Sequence, residues 1–112
     1  MRREDRVRLR HIADALDSVG RFMEGRRRED LDRDQMLVFA LVHALQIVGE
    51  AASKVTAETR GRHPEIPWSM IIGMRHRLVH AYFDINLDIL WTTAAEAAPA
   101  LLAKVQRILG PD

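Results

Sequence analysis

The sequence predicts an all-α protein, an antiparallel bundle of four helices whose last helix is kinked or split. Three observations lead there. Apolar residues recur at three- and four-residue spacing almost throughout the chain, the signature of one buried helical face. No stretch sustains the alternation of a strand, and no internal repeat is visible. The connections between periodic stretches are short, which makes successive helices antiparallel neighbours.

The first helix follows from Leu9, Ile12, Leu16, Val19 and Met23, one stripe that should fail near Gly25. Arg26-Arg27-Arg28-Glu29-Asp30 comes next and reads as a solvated turn, although three arginines there are also able to touch phosphate. Asp32-Arg33-Asp34-Gln35 reads as the capping box of a second helix. Its main stripe is Leu37, Leu41, Ala44, Leu45, Val48, Ala52 and Val55, and Met36, Ala40, Ile47 and Ala51 widen the apolar arc. A helix this apolar is buried on several sides, centrally in the bundle or against a second protomer. Gly61 to Pro67 is a loop, with Pro67 placed to open a third helix that runs to about Phe83-Asp84. Asn86 caps the last segment, where Leu87, Leu90, Trp91, Ala94 and Ala98 lead into Leu101, Leu102, Val105, Ile108 and Leu109. Pro99 lies inside that run and should kink it or split it in two.

The chain has 112 residues, enough for one domain spanning 1–112 with a single core. Its net charge of +1 comes from interleaved acids and bases, so any nucleic acid must bind at a local patch. The absence of cysteine excludes disulfides and thiolate metal sites. The longest unbroken apolar stretch, Met36 to Val42, is too short to span a membrane, and Met1-Arg2-Arg3-Glu4-Asp5-Arg6 lacks a signal-peptide core. A cytoplasmic protein with no membrane partner is the expectation.

The chemistry concentrates in Met74-Arg75-His76-Arg77-Leu78-Val79-His80-Ala81-Tyr82-Phe83. On a regular helix from Trp68 to Phe83, at about 100° per residue, Trp68, Ile71, Met74, Leu78, Val79 and Tyr82 share an apolar face. Arg75 falls in the middle of that face, with His76 and His80 on the opposite side. A guanidinium does not lose its charge, so Arg75 must be paired or reach a wet cleft. Glu50, the only acid within the apolar run of the second helix, is the obvious partner, either as a structural ion pair or as support for a catalytic arginine. Arg75 and His80 stand about 140° apart on an ideal helix and do not converge as neighbours. A break near His76, long side chains curling over one edge, or a cleft shared by two protomers would each bring them together. His76 and His80 have the spacing of helical metal ligands, but no third ligand is in register, so no metal is expected.

The arrangement of Arg75 and His80 as R-x4-H, with Tyr82 two residues on, resembles the HepT-like ribonucleases of the HEPN class. The likeness extends over Ile47-Val48-Gly49-Glu50-Ala51-Ala52, Pro64-Glu65-Ile66-Pro67-Trp68, Ile71-Ile72-Gly73-Met74, Tyr82-Phe83-Asp84 and Leu87-Asp88-Ile89-Leu90-Trp91. The resemblance implies a HEPN bundle that dimerises, with R-x4-H pairs lining a cleft at the interface. It implies a metal-independent endoribonuclease without cofactors, acting on RNA as the toxin of a toxin–antitoxin pair. The implied partner is a minimal nucleotidyltransferase (MNT) antitoxin, which in some members transfers AMP to the motif tyrosine, here Tyr82. Arg75 and His80 are then catalytic, with His76 and Glu50 supporting. His76 departs from the asparagine frequent at its position in the family. The competing class is a non-catalytic HEPN adaptor for dimerisation or for nucleotide or RNA binding, in which Arg75 and Glu50 are structural and His80 is incidental.

Overall fold

The computed structural model describes residues 1–79 and 84–111, and over these it is all-helical. Helix α1 (Arg3–Met23) buries Leu9, Ile12, Leu16 and Val19, the stripe read from the sequence. It ends before Gly25, whose φ of 69° lies in the left-handed region that glycine enters at little cost. A single turn, α2 (Asp30–Arg33), follows. Helix α3 (Gln35–Ser53) starts two residues later than the expected Asp32 box: Asp34 is the cap, its carboxylate accepting from the Leu37 amide at 3.0 Å.

Helix α3 occupies the centre. Leu41, Leu45, Val48 and Ala52 are buried against α1 on one side and a third layer on another. By length and apolarity α3 is long enough to cross a membrane, yet half of it is buried in the fold, as a core helix requires. A short helix, α4 (Ala57–Arg62), interrupts what the sequence suggests is plain connection, and Thr56 caps it.

Asp5 fixes the packing direction. It is 1% exposed and accepts from the Thr56 amide at 3.0 Å and from the Thr56 and Thr59 hydroxyls at 2.6 Å each. The start of α1 therefore lies at the end of α3, so the two helices are antiparallel. Burial alone would raise the Asp5 pKa, but the three hydrogen bonds, with the charge of Arg2, outweigh it and hold it below the ordinary carboxylate value. At the same end, Arg6 donates to the carbonyl of Leu109 at 2.7 Å, which sets the last helix antiparallel to α1 as well.

The expected third helix over 68–83 is not continuous. It forms α5 (Trp68–Ile72), a break at Gly73, and α6 (Met74–Leu78). Val79 is extended and forms an isolated antiparallel bridge with Ile85, and the Asn86 amide donates to the Leu78 carbonyl at 2.8 Å. Asn86 then caps α7 (Leu87–Thr92) as expected, its side chain accepting from Ile89 N at 3.0 Å.

The last rod is joined from pieces: α7, a π-helical turn (Thr93–Ala97) and α8 (Ala98–Leu109). Pro99 enters in the first turn of α8. Its ring would clash with the carbonyl of residue 95 in an α-helix and it has no N–H to offer there. The wider π turn just before it accommodates both defects and keeps the rod unbroken.

Candidate active site

The segment from Trp68 to Leu78 is a strap laid across α3. Its start is anchored by Trp68, which is largely buried and donates Nε1–H to the carbonyls of His63 (3.0 Å) and Arg60 (3.2 Å). Ile71 and Leu78 are buried in the core and hold its middle and end. Gly49 lets it lie close: a Cβ there would stand 3.0 Å from the backbone carbonyl oxygen of Ile71.

The break at Gly73 changes which residues share a face. Ile72, Arg75 and His76 point into one cleft of about 640 Å³, whose other wall is Leu45, Gln46, Gly49, Glu50 and Ser53 of α3. Arg75 is thus not central to an apolar face; it is exposed at a wet cleft, one of the two ways a permanent charge is accommodated there. His76, the next residue of α6 and about 100° round the helix from Arg75, lines the same cleft.

Glu50 is exposed on the facing wall, and among the described residues no ion pair or hydrogen bond joins it to Arg75. The expected structural pair is absent: the side chains face one another across solvent. His80 and Tyr82 lie outside the described residues. The flanks of their segment do meet, through the Val79–Ile85 bridge and the Asn86–Leu78 hydrogen bond.

Two features of this site escaped the sequence reading. Gln46 and Ser53 join Glu50, which the sequence did single out, at helical spacing with Gly49 among them, a polar notch in an otherwise apolar helix. Arg28, read as part of a wet loop, instead donates to Asp88 from Nη2 (2.7 Å) and Nε (2.9 Å) and to Asp32 from Nη1 (3.2 Å). These bonds raise the Arg28 pKa further above its ordinary value. They tie the loop after α1 to the first turn of α7, next to the returning end of the motif segment. Sixty residues separate Arg28 from Asp88, so no local pattern announces the pair.

Chemically, a fixed cation next to an imidazole is equipped to hold a phosphate and to move a proton. Among the described residues no three His, Asp or Glu side chains are grouped as metal ligands.

Comparison with known proteins gives the cleft a context. The family described as "Ribonuclease HepT-like" matches residues 12–108. "Probable ribonuclease HepT" of Thermococcus cleftensis is 35% identical over 108 residues, covering 96% of this chain and 98% of that protein. "Putative RNase TTE0752" of Caldanaerobacter subterraneus subsp. tengcongensis is 37% identical over 101 residues, 90% of each chain. "Putative RNase MJ1216" of Methanocaldococcus jannaschii is 27% identical over 108 residues, 96% of this chain and 89% of its own length. No solved structure matches the chain.

Proposed function

Since the chain belongs to the HepT-like ribonuclease family, we propose that it is a metal-independent endoribonuclease whose chemistry takes place at the Arg75–His76 cleft, completed by His80. The observation that carries this reading is the exposure of Arg75 and His76 together on a strap fixed by Trp68, Ile71 and Leu78, with no acid among the described residues paired to the guanidinium. In the adaptor reading Arg75 and Glu50 are a structural ion pair, and their separation favours catalysis instead.

In the proposed mechanism His80 takes the proton from a ribose 2′-hydroxyl, and the 2′-oxygen attacks the adjacent phosphorus. Arg75 stabilises the charge of the phosphorane. The 5′-oxygen leaves with a proton returned to it, and a 2′,3′-cyclic phosphate remains on the upstream fragment. His76 assists proton transfer or binds the phosphate, and Glu50 supports the site from the facing wall of the cleft. The test is cleavage of a mixed RNA pool in EDTA by the wild type and by His80→Ala, with product ends mapped. Cleavage by the wild type alone is expected; full cleavage by a folded His80→Ala protein would remove His80 from the mechanism.

We infer further that the working unit is a symmetric dimer formed through the outer face of α3. Met36 (83% exposed), Phe39 (53%) and Ile47 (39%) are at helical spacing on that face. Two-fold symmetry about it would bring two straps towards a shared cleft. The protein would act in the cytoplasm as a toxin, restrained by a minimal nucleotidyltransferase antitoxin that transfers AMP to Tyr82. A bulky anion there would occupy the cleft and oppose the charge of Arg75. Incubation with that partner and ATP should add the mass of one adenylyl group per modified tyrosine, and Tyr82→Phe should not accept it.

A further inference from the structure

The strap has a second face. Met70, Ile71, Met74 and Arg77, at helical spacing, turn away from the cleft and line an apolar pocket of about 250 Å³. Its opposite wall is the rod around the π-helical turn, with Thr92, Thr93 and the small side chain of Ala97. Leu45 of α3 borders both this pocket and the cleft, so the two are neighbours.

The pocket opens to solvent beside Met70, Arg77 and Ala97, so a ligand can enter it. A dry apolar cavity of about 150 Å³ takes one benzene ring, so this volume suits a fused two-ring system. The lining suits a flat aromatic rather than an aliphatic chain. Thioethers at Met70 and Met74 make favourable contacts with aromatic rings. The Thr92 and Thr93 hydroxyls both donate and accept, so they can match the polar edge of a base. Arg77, exposed among the lining residues, brings a permanent positive charge to an otherwise apolar site. Single-stranded nucleic acid is held by this pairing of cations with surfaces that take a base face-on.

We propose that this pocket is a nucleobase subsite that takes a purine of the RNA strand, with Arg77 on the neighbouring phosphate. The proposal rests on the ribonuclease reading for its ligand. A strand whose scissile phosphate lies at Arg75 and His76 has to pass α6, a helix about 10 Å across, to place a nearby base here. The pocket then sets a purine at a fixed offset from the cut.

The probe is adenosine 5′-monophosphate, titrated into protein labelled with 13C at the methionine methyls. The Met70 and Met74 signals should shift, while Met1 and Met36, exposed elsewhere, should not. Ala97→Phe, placed to fill the pocket from an exposed position, should abolish the shifts. Arg77→Ala should stay folded and reduce the response to that of adenosine. In end-mapping, wild-type products should carry a purine at one fixed offset, and Ala97→Phe should lose that preference with KM raised roughly tenfold.

No methyl shift with the nucleotide would overturn the proposal, as would shifts that survive both substitutions. A response to indole but not to the nucleotide would also overturn it and mark a socket for a protein side chain. The titration does not depend on cleavage. Binding without any RNA cleavage would therefore sink the ribonuclease reading alone, and cleavage with no purine preference would sink the subsite alone.

Discussion

Arg75 shows how much one backbone irregularity can change a residue. On an uninterrupted helix it falls among apolar side chains and needs a buried partner. With the break at Gly73 it stands in solvent beside His76, facing Glu50 without an ion pair or hydrogen bond between them. Its removal should therefore cost function and not stability: Arg75→Ala is expected to lower RNA cleavage at least a hundredfold, as loss of a transition-state charge contact does. Its urea midpoint should remain that of the wild type, and a large drop would return Arg75 to a structural role. Asp5 is the opposite case. It is buried, accepts three hydrogen bonds and has a folded pKa below its ordinary 3.8. Such a group adds stability that is fully present above the unfolded pKa and is lost as pH falls from about 5 through the folded value. Denaturant melts between pH 7 and pH 2 should show this acid limb, and Asp5→Asn should flatten it while lowering stability at neutral pH by about 2 kcal/mol. No pattern marked Asp5 in the sequence, because its partners Thr56 and Thr59 are some fifty residues away.

At the scale of elements, periodicity identified the two long N-terminal helices because α1 buries one stripe and α3 a broader apolar arc in a continuous core. It also placed a disruption at Pro99, where the π turn now stands. It failed on the strap, where continuous apolar spacing suggested one helix to residue 83. Glycine tolerates a helix in a pattern, so Gly73 did not announce the break, and the bridge of Val79 with Ile85 depends on a residue from beyond the motif. Gly49 is what lets the strap sit low on α3. Gly49→Ala gains about 1 kcal/mol of helix propensity, but its Cβ meets a backbone carbonyl that cannot rotate away. A net loss of about 1–2 kcal/mol is expected, with a disproportionate loss of cleavage as the strap is displaced; an unchanged or raised urea midpoint would show that the contact relaxes freely. Arg28 holds the far side of the motif segment through Asp88. Arg28→Ala should speed amide exchange at Ile85 and Asn86 more than in α1, and equal rates would show that the clamp does not steady that strand.

For the whole molecule, the exposed apolar stripe on α3 is the feature a single copy does not explain. Phe39→Glu places a charge at its middle, on a side chain already 53% exposed in one chain. Sedimentation should show the wild type as a dimer and this variant as a folded monomer. Loss of cleavage together with dimerisation would support a shared cleft, and a fully active monomer would discard it.

The sequence by itself determined the helical class, the positions of the long rods and the proline defect, and it marked Arg75 and His76 as residues able to carry charge and a proton. These are local properties, set by which residues repeat along a helix and which side chains can carry charge or a proton. Tertiary structure alone decided where those residues face. The antiparallel lock at Asp5, the close approach at Gly49, the Arg28–Asp88 tie and the division of the strap between a polar cleft and an apolar pocket all join residues far apart in the chain. Such contacts depend on how the helices pack, and helix packing is not written in any single stretch of sequence.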